Sequence, residues 1–273
     1  VISNMHLLCQ LTTISAEQLI VGGLICIAVS IGGIVAGMNG FGFAVIGTTL
    51  IVEVLGPQRA VTLMILPILA ANLSLTFELD TAGLRSCGSR FSVFIFTAAI
   101  GTLLGMISLQ YVPVAPLKLA LGIFVIMYVL LEQEQISVPG ESWLSDVCLR
   151  EGTTTMSVIG FVSGFVFGIS NVGVQVIAYL RSFELDRSTM VGVLAMIFLG
   201  IGLTRVFIAG AIGLYTDIEA ITLSVLAVFP GVAGVAVGQR VRKVVSSRTQ
   251  LVIIFTLLSL IGIRLLQAGV TSI

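Results

Sequence analysis

Charge is what this chain has least of. Only 10% of its 273 residues are Asp, Glu, Lys or Arg, against about 25% in a soluble domain. So few cannot coat a surface that faces water, which excludes an ordinary soluble globule. Net charge is zero, so no basic field points to nucleic acid. Histidine occurs once, at His6, and reads as a solvated tail residue. The four cysteines, Cys9, Cys26, Cys87 and Cys148, are scattered, with no C-x-x-C. That argues against a disulfide framework or a metal site. No basic stretch precedes the first apolar run, so that run does not read as a cleaved signal peptide. There is no G-x-S-x-G, no H-E-x-x-H, no His–Cys pair and no ATP-binding motif. Nothing marks an enzyme, and no cofactor or metal is expected.

What the chain has in abundance is apolar sequence, with 57% hydrophobic residues and a mean hydropathy of +1.17. Apolar runs of about 20 residues recur from end to end, the mark of membrane-spanning helices. The two-residue alternation of a membrane β-barrel is missing. The expected fold is an all-α polytopic membrane protein, one transporter-like domain over 1–273. Spans are predicted at roughly 19–38, 58–79, 91–112, 115–132, 153–169, 188–212, 218–239 and 248–269. Two shorter apolar pieces, about 43–55 and 172–183, follow the first and fifth spans. The polar segment 133–152 is read either as a plain linker or as a surface helix with Trp143 at headgroup depth.

The pattern restarts after that segment. "GIVAGMNGFGFAVIG" (Gly33–Gly47) and "GFVSGFVFGISNVGV" (Gly160–Val174) share G-x-x-x-G followed by a second glycine cluster. One domain built from two repeats is expected, the first about 16–132 and the second about 153–269. The short pieces of about 12–13 residues make helices near 20 Å, too short for a core about 30 Å thick. Each is therefore the second arm of a hairpin, which inverts the repeats, or the end of one long broken helix, which makes them parallel. The inverted arrangement puts Arg85, Arg90, Arg150, Arg181, Arg187, Arg240, Arg242, Lys243 and Arg248 inside, with only Arg59 and Lys118 outside. The parallel arrangement scores almost as well on the positive-inside rule. The shortness of the second arms favours inversion, with both termini outward.

Glycines inside a membrane helix free backbone groups that lipid cannot satisfy, so such backbone lies in protein or lines a wet cavity. Paired breaks in matching places of two repeats point to a transporter site. A helix starting at mid-depth offers free N–H groups and a partial positive charge, which suits an anion. The two breaks supply the candidate binding residues Asn39, Gly40, Phe41 and Gly42, and Ser170, Asn171 and Gly173. Gly33, Gly37, Gly160 and Gly164 read instead as close helix packing.

These duplicated stretches carry a resemblance. The chain from Ala16 to about Ala268 resembles the TauE/SafE sulfite exporter family, also called the toluene-sulfonate uptake permeases. The family motif is similar to G-x-x-x-G-x-x-G-I-G-G-G. The first copy here has Gly33, Gly37, Gly40 and Gly42, with Phe41 and Phe43 where Ile and Gly are common. The second has Gly160, Gly164, Gly168 and Ile169, then Ser170-Asn171 in place of glycines. The resemblance implies a secondary transporter of sulfite, sulfonates or similar small anions in the cytoplasmic membrane of a prokaryote. Its partners would be that anion, the lipid bilayer and a coupling ion, H⁺ or Na⁺, with a homodimer open. An anion channel, or a carrier of other small organic anions, is the alternative.

Polar residues within the apolar runs complete the candidate set. Arg205 either binds substrate or snorkels to the outer interface. Glu53 is either a coupling carboxylate or an interfacial one. Arg264 reads as a snorkeller. Thr48, Thr49 and Thr204 can bond their own helix backbone. Asn72 and Gln175 are expected to have no such local partner and therefore rank as binding residues.

Overall fold

The computed structural model describes residues 16–77, 89–132, 152–181, 183, 187–215 and 218–271. His6, Cys9, Arg85, Cys87, Cys148, Arg150 and the expected surface helix at Trp143 lie outside the described residues. The described chain is helical throughout. In chain order the helices are α1 (Ala16–Asn39), α2 (Phe43–Leu55), α3 (Pro57–Leu63), α4 (Ile65–Thr76), α5 (Ser92–Leu109) and α6 (Val114–Glu132). After the polar segment come α7 (Thr153–Ser170), α8 (Val174–Arg181), α9 (Arg187–Ala211), α10 (Ile218–Val244) and α11 (Ser247–Val270). A helix satisfies its backbone internally, which is what apolar surroundings demand. Five of these helices are long and apolar enough to cross a membrane, or six if the bent pair α3–α4 counts as one.

Two glycine-lined crossings tie the first half to the second. α1 packs on α10 and α5 packs on α7. A Cβ on Gly37 would meet the backbone of α10, at Val235 O and 2.8 Å from Gln239 N; one on Gly238 would meet Ile34 O of α1. Likewise a Cβ on Gly164 would strike the Ala98 backbone, and one on Gly101 or Gly105 the backbone of Phe165. Only bare backbone fits at these crossings. α4 packs against α9 and α10, and α6 against α11.

Both breaks turn the chain back on itself. Gly40 (φ 83°) and Gly42 (φ 98°) leave the helical region, so α1 stops at Asn39 and α2 starts at Phe43. A Cβ on Gly32 would lie 3.0 Å from Phe43 O and 3.1 Å from Gly47 N. Along one continuous helix Gly32 and Gly47 would be about 22 Å apart. α2 therefore runs back beside α1 as a hairpin arm. The second break does the same. A Cβ on Gly160 of α7 would meet Phe94 O at 2.8 Å, and Tyr179 of α8 stacks on that same Phe94, centroids 5.4 Å apart. Phe183 meets Phe91 edge-on at 5.5 Å, so the end of this hairpin returns to the start of α5.

Three of the eight expected spans differ. Those expected at 115–132 and 248–269 hold only shorter apolar stretches among the described residues, Ala115–Met127 and Phe255–Val270. The span predicted over 58–79 is split at Met64, and α3 and α4 meet at 40°. Pro67 is the cause: it has no N–H to give Leu63, and its ring crowds that carbonyl.

Candidate functional site

The breaks converge on one cavity of about 30 Å³, room for about two waters. Gly40, Phe41 and Gly42 line it from the first break, with Phe43, Ala44 and Val45 of the first turn of α2. Gly173 of the second break lines it too, with Ile177 of α8. Asn72 on α4, Phe167 on α7 and Phe198 on α9 close it. The first intrahelical bond of α2 is Ile46 N–H to Gly42 O at 2.9 Å. The N–H groups of Phe43, Ala44 and Val45 precede it and have no carbonyl within their helix, and Gly42 offers no side-chain cap. The cavity is thus an apolar pocket into which an uncapped helix start opens, with no charged side chain among its lining residues.

Five of the expected binding residues are therefore brought together: Gly40, Phe41, Gly42, Asn72 and Gly173. The other five do not line the cavity. Asn39 is half-buried at the last position of α1. Ser170 is satisfied locally, donating to Val166 O at 2.6 Å and accepting from Val172 N–H at 3.1 Å. Gln175 sits on α8 with neither end of its amide partnered. Glu53, the coupling candidate, is exposed near the end of α2.

Asn72 corrects an expectation. Its Nδ2 donates to Ile68 O at 2.8 Å, so it does find a partner one turn back on its own helix, while also lining the cavity. Thr49 behaves as expected, bonding Val45 O at 2.7 Å. Thr48 does not: its Oγ1 accepts from Asn171 Nδ2 at 2.8 Å, across the two halves.

Asn171 and Arg205 belong to a second, polar layer built on the α3–α4 kink. Three successive carbonyls there accept from side chains elsewhere in the chain. Val61 O accepts from Asn171 Nδ2 and Arg205 Nη2, each at 3.4 Å. Thr62 O accepts from Tyr215 Oη at 3.2 Å. Leu63 O, the one Pro67 cannot serve, accepts from Ser224 Oγ at 2.7 Å. Burial pushes the Tyr215 phenol up from its ordinary value, against the pull of the Ser224 hydrogen bond and of Arg205. At neutral pH it keeps the proton it donates.

Arg205 does not snorkel: it is 1% exposed. Its guanidinium carbon lies 5.2 Å from the ring centroid of Phe167, and its Nε and Nη1 have no partner. The carboxylates of Glu53 and Glu219 are both on exposed positions. An unpaired cation at depth costs about 2.5–3.5 kcal/mol on insertion scales. A desolvated cation–π contact returns about 2 kcal/mol of that, and among the described residues no carboxylate pairs with the guanidinium. Arg264, by contrast, is exposed near the end of α11.

Sequence reasoning missed Phe167, Phe198, Tyr215 and Ser224. Pro67 was a visible signal for the kink that recruits the last two. Residues 24–265 match a family model described as sulfite exporter TauE/SafE. No curated protein and no solved structure matches the chain.

Proposed function

The chain belongs to the sulfite exporter TauE/SafE family of membrane transporters, and we propose that it carries sulfite or an organosulfonate held between its two helix breaks. The observation that carries this reading is the convergence of Gly40–Gly42 and Gly173, from opposite halves, on one cavity into which the uncapped start of α2 opens. Free N–H groups at a helix start bind an oxyanion without a resident cation. The apolar walls strip water from the anion and strengthen those contacts.

The transport step follows from the packing. The two hairpins, each crossed by a helix of the other half, make a pair of inverted repeats around the cavity. Rocking one hairpin-and-crossing unit against the other would open the cavity to each side in turn, the alternating access that such repeats provide. The closeness of Phe91 to Phe183 and of Thr62 to Tyr215 supports inversion, since parallel repeats would put the members of each pair on opposite faces.

The test is thermal unfolding of the detergent-solubilised protein against sulfite, sulfate, thiosulfate, taurine, sulfoacetate and chloride. A ligand that binds only the folded state adds about 2.7 kcal/mol at a hundred times its Kd. We expect a rise with sulfite or one sulfonate that disappears in Asn72→Leu. No rise with any sulfur anion would overturn the reading.

A further inference from the structure

Behind the aromatic wall of the cavity sits a cation with no anionic partner among the described residues. Arg205 is fully enclosed, and two of its three guanidinium nitrogens have no hydrogen-bond partner. The third reaches only Val61 O at 3.4 Å. Arg205 does not line the cavity, but Phe167 does, and the guanidinium lies against the Phe167 ring. That ring stacks on Phe198, another lining residue, at 5.1 Å and 28°. Gly173 leaves room for the pair: a Cβ there would collide with Phe198 and lie 3.4 Å from Phe167 Cδ2.

Buried polar groups are nearly always satisfied, and an exception asks for a physical reason. A ring face is a weaker partner for a guanidinium than an oxyanion, which takes charge-assisted hydrogen bonds from it. The cavity itself offers no charged side chain. We propose that Arg205 is a second, occluded anion subsite, closed off from the cavity by the Phe167 ring, which a sulfite or sulfonate oxyanion reaches when that ring turns aside. The ring holds the face of the guanidinium until the anion arrives. The subsite rests on the reading of the cavity as the substrate site, and it supplies what the cavity lacks, a full positive charge that tells an anion from a neutral molecule of the same size. Phe167 is then a positioning residue, setting when the charge is felt.

Radiolabelled sulfite binding to the full chain in lipid nanodiscs tests this. Phe167→Ala exposes the guanidinium to the cavity and should tighten sulfite binding at least tenfold. Phe167→Leu, which keeps apolar bulk without a ring face, should shift it in the same direction. The gain should vanish in Phe167→Ala/Arg205→Met. Arg205→Met alone should melt at or above the wild-type temperature, because it removes a buried charge, yet lose at least tenfold in sulfite exchange in proteoliposomes. Unchanged or weaker binding in both folded Phe167 variants overturns the subsite, as does a gain that survives removal of Arg205. So does an Arg205→Met protein that melts lower but exchanges normally. Wild-type binding abolished by Asn72→Leu, with no gain at Phe167, overturns the subsite alone. No sulfite binding to the wild type or to either Phe167 variant overturns the cavity reading with it.

Discussion

At the scale of residues, Asn171 does two jobs that substitution can separate. It ends α7 at φ 60°, a left-handed conformation that asparagine accepts and most side chains resist. It also donates to Thr48 Oγ1 from the other half. Asn171→Gly keeps the turn and loses the amide, and should cost about 1–3 kcal/mol for the buried partners left behind. Asn171→Leu loses both and should cost about 1–2 kcal/mol more for the strained backbone. Thermal unfolding of the two proteins checks the order; equal losses would mean the turn carries no strain. The sequence flagged Asn171 and Arg205 because polar groups are rare in these runs. It could not aim them, since aim depends on how α7 and α9 are rotated against α3. Phe167 and Phe198 had no signal at all among 15 phenylalanines.

At the scale of elements, the α3–α4 kink is a proline defect repaired from a distance. Pro67 leaves Leu63 O without its backbone donor, and Ser224 of α10 supplies one. Ser224→Ala should therefore destabilise by about 1–3 kcal/mol. In Pro67→Ala the backbone N–H returns, so adding Ser224→Ala to it should cost much less. A double-mutant cycle on unfolding free energies reads this coupling; simple additivity would refute the repair. The helix ends were close to legible: a span predicted at roughly 19–38 is a helix over Ala16–Asn39, and one at 115–132 is Val114–Glu132. The glycine stripes of α1 and α7 were read as packing, whereas their partners at Gly101–Gly105 and Gly234–Gly238 have the same spacing and went unread.

At the scale of the molecule, the proposed inverted repeats set which loops share a face. The turn at Pro113, before α6, and the turn at Gly213, after α9, should lie on one side of the membrane, with Gly152 on the other. Single cysteines at 113, 213 and 152, in a chain freed of its four native cysteines, test this with a membrane-impermeant maleimide on oriented vesicles. Joint labelling of 113 and 213, with 152 protected, is the expected pattern. Opposite behaviour of 113 and 213 would return the repeats to a parallel arrangement.

Composition determined that this chain belongs in a membrane, because 10% charge cannot coat a surface that faces water, and apolar runs of about 20 residues determined that it is helical. Spacing determined where the helices stop, because glycine, asparagine and proline act on the backbone locally. The tertiary structure decided everything that needs two distant segments at once. It set Gly32 of α1 against Phe43 and Gly47 of α2, since chain direction after a glycine is set by what the next helix packs on. It also placed Arg205 behind Phe167 rather than at the lipid surface, since burial is a property of neighbours and not of position in the sequence.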